Sequence, residues 1–333
     1  MHVVIVTPVR PGASSGNDVT ASRWQRRLAE LGHEVEVVKL TAADGEGFRT
    51  DGPDVAPTAD LLVVLHARRC AAAVAASRTA HPRRPVVVGL AGTDLYRDLP
   101  DDLDAFAAVQ AADRLVVLQS LAIERLRDLD PTLAAKSHVV HQSVEAPVPA
   151  RNVHPGSFDV VVLAHLREVK DPLMAARAAR RLPTDSQVQV RHAGGAHDDA
   201  WAVAARAEQA DNPRYHWLGE LDRDAARELL ASASVLACTS RLEGGANVVS
   251  EAIATGVPVV GTAIDGNRGL LGSDYPGLVA PADDEALAVL LRRLETDPAA
   301  LAELQRLVDQ RRPLTDPAHE RAQWEGVLTG LGR

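Results

Sequence analysis

Aromatic side chains make up only 3% of the 333 residues, so any core must be built from Ala, Val and Leu. There are two cysteines, Cys70 and Cys238, far apart in the chain. That excludes a disulfide scaffold and a Cys/His zinc site, and it suits a reducing compartment. A basic surplus is also missing: the formal net charge is −9. A nucleic-acid surface would show excess or clustered Lys and Arg, so no nucleic-acid partner is expected. No run approaches the ~18 apolar residues of a membrane span. The opening MHVVIVTPVRPG reads as a first strand rather than a signal peptide. The expectation is a cytoplasmic protein without a membrane partner.

What is present is a repeated alternation. Short Val-rich runs at Val3–Thr7, Val35–Val38, Leu61–His66, Val86–Leu90, Leu115–Leu118 and His138–His141 are separated by helix-like stretches at Val19–Leu31, Ala71–Ala80, Leu103–Ala112 and Leu121–Asp128. Runs that are apolar throughout, rather than every second residue, indicate strands covered on both faces. Strand and helix in alternation predict an α/β, doubly wound parallel sheet. Ser143–Phe158 interrupts the pattern with three prolines and a glycine, as a linker would. The alternation then restarts at Val160–Ala164. The chain therefore divides into a first α/β domain (1–147), a linker (148–158), a second α/β domain (159–313) and a C-terminal helix (314–333) that returns to the first domain. The helical tail after Glu285 is broken near Pro298 and Pro313. In such sheets ligands bind beyond the carboxyl ends of the strands, so the loops there are the ones to inspect.

The richest of these loops is TSRLEGGANVVSEAIATGVP, residues 239–258. A strand ending near Ala237 leads into Glu243, Gly244 and Gly245, and a helix is predicted from about Asn247. The glycines permit close backbone approach. The first helical turn, at Ala246, Asn247 and Val248, presents amides and the positive dipole end, a seat for a diphosphate. Glu243 and Glu251, with seven residues between them, offer one carboxylate to a sugar hydroxyl and the other to a ribose diol. A capping loop followed by a surface glutamate has the same pattern. A second loop, AHLREVKDP at 164–172, brings Arg167 and Lys170 to a strand end, where fixed cations would neutralise a leaving diphosphate. A solvated charged turn is the plain alternative.

The Glu243/Glu251 spacing, followed by AIATGVPVVG, resembles the E-x7-E signature of GT-B glycosyltransferases of the GT4 type. The resemblance implies two facing Rossmann-like domains around a central cleft and a UDP-sugar donor. It implies that Glu243 meets the donor sugar, that Glu251 binds ribose and that the amides between them hold the pyrophosphate. In that family the 164–172 loop reads G-R-L-x-x-x-K-G. Lys170 matches the lysine, but His165 stands where the arginine is expected, leaving Arg167 or His165 to supply the cation. Gly16 and Asn17, in the loop after the first strand, are expected near the donor phosphates or the acceptor, Gly194 near the nucleotide and Gly219 near the base. No metal is expected, because Lys, Arg and a helix N-terminus do that work in this fold.

Segments spread over both domains, GNDVTASRW, LHARR, GTDLYRDLP, HLREVKDP, NPRYHWLGEL and SRLEGGANVVSEA, resemble a narrower group: the selenosugar synthases of selenoneine biosynthesis. That resemblance implies transfer from UDP-N-acetylglucosamine or UDP-glucose to selenophosphate. A small polyanion calls for a compact cationic pocket, and Arg favours bidentate oxyanion binding. His66, Arg68, Arg69, Thr93 and Asp94 lie at first-domain strand ends as acceptor-side candidates, with Arg97 and Arg23 as further cations. A lone histidine at a strand end is more often structural. The rival readings are a transferase with a hydroxyl acceptor such as inositol, and a UDP-sugar-binding protein without turnover.

Overall fold

The computed structural model describes residues 1–9, 16–41, 54–99, 101–145, 150–153 and 156–331. Residues 10–15 of the loop after the first strand, and 146–149 and 154–155 of the expected linker, lie outside the described residues.

The chain forms two compact units, Met1–Ser143 with Asp316–Arg333, and Val144–Thr315. Each holds one six-stranded, all-parallel sheet. In unit 1 the strands are β1 (His2–Val9), β2 (Glu34–Thr41), β3 (Leu61–Leu65), β4 (Val86–Gly89), β5 (Arg114–Val117) and β6 (Ser137–Val139), in the order β2-β1-β3-β4-β5-β6. In unit 2 they are β7 (Phe158–Leu163), β8 (Val188–Ala193), β9 (Tyr215–Trp217), β10 (Val235–Cys238), β11 (Val259–Thr262) and β12 (Leu278–Val279), in the order β12-β11-β10-β7-β8-β9.

The continuous Val runs are explained by the pleat. Successive side chains point to opposite faces. Val4, Val6, Leu62, Val64, Val86 and Val88 enter one core of unit 1, while Val3, Ile5, Leu61, Val63 and Val87 enter another. The second core receives two tryptophans. Trp24 and Trp324 are fully buried and meet edge to face, with ring centroids 5.0 Å apart. Trp24 leaves no room for a side chain at position 89, where a Cβ would overlap its ring. Trp324 belongs to the helix Pro317–Leu328, which packs on the helix Gly16–Glu30 of the same unit.

The strand order places a topological switch between β7 and β10, where the chain leaves β7 one way and returns on the other side. Ligand crevices form at such points, and the site described below lies there. The helix at 16–30 begins before the expected Val19, so Asn17 and Asp18 lie in its first turn rather than capping it. Among the described residues no helix is long and apolar enough to cross a membrane.

Candidate active site

Two loops leave the carboxyl ends of β7 and β10, and polar contacts stitch them together. The Arg241 amide donates to the Val169 carbonyl (2.8 Å), and the Thr239 hydroxyl to the carbonyls of Lys170 (3.2 Å) and Asp171 (3.0 Å). Asp171, buried and in the left-handed region at φ 40°, accepts from Arg177 (3.0 Å) and Arg241 (3.3 Å). This lacing brings Lys170 onto Glu243: its Nζ donates to Glu243 Oε1, and the Ser240 hydroxyl donates to the same oxygen at 2.6 Å. The Lys170 and Glu243 side chains are 18% and 12% exposed, so the pair is largely sheltered yet reachable. Behind it, Thr262 donates to the Ser240 carbonyl and fixes the Ser240 backbone.

A shallow cavity opens at this point, lined among others by Val162, Ala164, Lys170, Ser240, Glu243 and Val248. Its far edge is the start of the helix Asn247–Thr255. Ala246 sits at the cap position with no side-chain cap hydrogen bond, and Gly244 and Gly245 are buried beside it. The dipole end of the helix therefore points to a place where a lysine ammonium is already held, which suits a diphosphate. Glu251 lies inside the helix and is half-buried. Cys238 also borders the cavity; burial pushes its thiol up to about 11, which keeps it protonated and unreactive.

The glycines expected near the nucleotide join the same assembly. The Gly194 amide donates to the Gly219 carbonyl (2.7 Å), and a Cβ at Gly194 would overlap the Ala164 carbonyl oxygen. The Leu166 amide bonds the Gly195 carbonyl (2.9 Å). His165 and Arg167 are both exposed on the loop and do not line the cavity. Of the two cations expected for the diphosphate, the geometry thus brings Lys170 alone to the cavity wall. Ser240 and Thr239 were missed by sequence reasoning. The available signal was a pair of hydroxyl residues at the exit of a buried strand.

Unit 1 has its own cluster. His66 closes β3 at φ 85°, a strained value for a non-glycine residue. Its Nδ1 accepts from the Arg69 amide (3.3 Å), which leaves the proton on Nε2, 3.1 Å from the Thr93 hydroxyl. Burial pushes the imidazole pKa down, with nearby Arg69 and Arg97 acting in the same sense against Asp94 and Asp98.

Asp94 has a different task from the expected acceptor contact. It is fully buried, and its carboxylate accepts from the amides of Ala67, Ala91, Gly92 and Leu95 at 2.8–3.2 Å, so it locks the two strand-end loops together. Arg68 is held by Asp102 (2.9 Å) and Asp98 (3.7 Å). Arg23 is not a surface cation: it is 4% exposed and bonded to Glu320 (3.1 Å) and Gln142 (2.7 Å) in the core of the unit. Gly16 is exposed and Asn17 half-buried at the helix start. No group of three or more His, Cys, Asp or Glu poised to hold a metal occurs among the described residues.

Residues 148–311 match the family model described as "Glycosyl transferases group 1". The match lies within the second unit and covers most of it. Curated relatives of this chain include the D-inositol 3-phosphate glycosyltransferases of Mycobacterium sp. strains KMS and JLS. Each is 30% identical over 173 residues, which is 47% of this chain and 39% of theirs. The chain thus spans about two-fifths of the length of these relatives. The fold is shared along the whole chain with HepE of Anabaena, solved in complex with UDP (TM-score 0.76, 17% identity, 99% of this chain and 100% of that one). It is shared equally with the sucrose-phosphate synthase of Thermosynechococcus elongatus (TM-score 0.77, 15% identity, 98% of each chain). Both show the GT-B architecture expected for this chain. Within the matched residues the Lys170–Glu243 pair sits at the switch between β7 and β10.

Proposed function

We propose that the protein is a glycosyltransferase that moves a sugar from UDP-N-acetylglucosamine or UDP-glucose to selenophosphate. The observation that carries the donor half is the convergence of Lys170, Glu243 and Ser240 on one cavity at the start of the helix Asn247–Thr255. HepE has been solved with UDP and with UDP-glucose, which supports a UDP-sugar in the corresponding fold. The acceptor half rests on the motif resemblance described above.

In this reading Lys170 and the amides of Ala246, Asn247 and Val248 neutralise the charge that develops on the departing diphosphate. Glu243 takes a hydroxyl of the donor sugar, Glu251 the ribose diol, and Gly194 and Gly219 give backbone access to the nucleotide. Selenium attacks C1; the Se–C1 bond forms as the C1–O bond breaks, and UDP leaves with the electron pair. Water then cleaves the P–Se bond and releases phosphate. The selenium nucleophile is already anionic, so no general base is needed to unmask it. Acceptor recognition is assigned to unit 1, with Thr93 and Arg69 as contacts and His66 and Asp94 shaping the loops.

A hydroxyl acceptor is the second reading, favoured by the similarity to the D-inositol 3-phosphate glycosyltransferases. The deciding experiment incubates the protein with UDP-N-acetylglucosamine and either selenophosphate or inositol phosphate. Released UDP and product mass are then measured. A selenium-containing sugar that disappears with Lys170→Ala and Glu243→Ala supports the first reading. Turnover only with the inositol acceptor replaces it with the second, and tight UDP-sugar binding without turnover defeats both.

A further inference from the structure

Strand β8 presents alternate residues to the core: Val188 and Val190 are fully buried, and the next inward position is His192, also 0% exposed. An aliphatic residue would continue the pattern. The imidazole instead bridges three strand ends. Its Nε2 lies 2.8 Å from the carbonyl oxygen of Ala164, just after β7, and its Nδ1 lies 2.9 Å from the hydroxyl of Tyr215 on β9. A carbonyl can only accept, so the proton is on Nε2, and Nδ1 accepts from the phenol. Both ring nitrogens are thereby satisfied without water.

We infer that His192 is a positioning residue of the donor site, acting through the Ala164 carbonyl on the loop that carries Lys170. Ala164 is gripped from both sides: its amide donates to the Ala193 carbonyl (3.0 Å), and its oxygen meets His192 while resting against the bare Cα of Gly194. The peptide plane at the start of the loop is therefore set before the chain reaches Lys170. Ala164 itself lines the cavity. Burial pushes the His192 pKa down to about 4, so the ring stays neutral under physiological conditions and serves as a fixed strut. An aliphatic residue here would leave the Ala164 carbonyl buried beside Gly194 without a donor, free to turn toward the cavity and take water.

The test compares His192→Leu, which cannot donate, with His192→Gln, whose side-chain amide can reach the same carbonyl. UDP affinity is measured by calorimetry, alone and combined with Lys170→Ala. His192→Leu should weaken UDP binding about tenfold, the loss of one sheltered hydrogen bond and its consequences for the loop. His192→Gln should stay within about threefold of the parent. In the Lys170→Ala background, His192→Leu should add less than about threefold, because the strut acts through that lysine. Full additivity, or an unaltered affinity in His192→Leu, overturns the inference.

The affinity arm rests on the UDP-sugar reading. If the parent protein fails to bind UDP, that reading falls, and the backbone amide spectrum of residues 165–171 decides instead. Shifts in His192→Leu that revert in His192→Gln support the strut, and their absence overturns it. If His192→Leu does not fold, Tyr215→Phe takes its place, with the same amides expected to move.

Discussion

Replacing Glu243 by Gln should pull two measurements in opposite directions. In the protein without ligand, Lys170 and Glu243 neutralise each other, and Ser240 holds the shared oxygen. Gln keeps the size of the side chain and still offers Ser240 an oxygen, but the carboxylate charge is gone. A diphosphate entering the cavity then meets an uncompensated ammonium. One unit charge at about 6 Å in an effective dielectric of about 20 contributes about 2.8 kcal/mol. The pair is sheltered but not sealed, with side chains 18% and 12% exposed. Halving the value for solvent and salt leaves about 1.4 kcal/mol, or about tenfold in affinity. UDP should therefore bind Glu243→Gln about tenfold more tightly, with a gain that shrinks at high salt. Sugar transfer should fall at least about tenfold, since a charged hydrogen bond to the donor sugar is lost. Titration calorimetry with UDP and a UDP-release assay read the two quantities. Unchanged or weaker UDP binding would refute the idea that Glu243 competes with the diphosphate for Lys170.

Three further outcomes are expected. Glu320→Ala leaves the buried Arg23 guanidinium without its carboxylate and the Ser143 amide without its acceptor, so urea unfolding should show a loss of about 3–5 kcal/mol; a loss below about 1 kcal/mol would contradict the assignment. His192 has a folded pKa lowered from 6.5 to about 4, so the unfolded chain takes up its proton first as the pH falls. Stability from this residue is complete above pH ~6.5 and is lost towards pH ~4, on the order of 3 kcal/mol, and His192→Leu should flatten the profile; His66, also pushed down by burial, adds in the same sense. Turnover should persist in EDTA, because Lys170 and the helix start at Asn247 are assigned the diphosphate charge, and a strict requirement for a divalent cation would overturn that assignment.

The parts of the fold that could be read from sequence were those with a strong local cause. Leu61–Leu65 and Val86–Gly89 are fully buried runs of apolar residues, and Ala71–Ala80 is a helix with the bounds its alanine stretch indicated. Pro298 split the C-terminal helical stretch because a proline fits the first helical turn and not an interior, giving helices Asp284–Thr296 and Pro298–Asp309. The helix Asp265–Leu271 escaped notice because two glycines dilute its signal, and β12, with two residues, has no run to detect. At the site, Glu243 and Lys170 could be singled out because each follows an apolar strand, Glu243 beside Gly244 and Gly245 and Lys170 in a charged loop. Asp94 and Arg23 were misjudged for a single reason. A charged residue near a strand end looks the same in sequence whether it faces a ligand or is enclosed by amides or by a partner 297 positions away, as Arg23 is by Glu320. Only the tertiary fold supplies Glu320 to Arg23 and Tyr215 to His192.

The helix Pro317–Leu328 has a consequence for synthesis. Unit 2 is one continuous stretch, whereas unit 1 is completed only by residues that follow it. As the chain emerges from the ribosome, Val3, Ile5 and Trp24 are made early, yet the Trp324 and Val327 that cover them arrive after all of unit 2. At about 5–20 residues per second the delay is on the order of 10–30 s. For that interval the first sheet carries an unroofed apolar face and an arginine with no carboxylate. Released chains truncated just before residue 316 should therefore expose unit 1 to proteases and chaperones while unit 2 is folded.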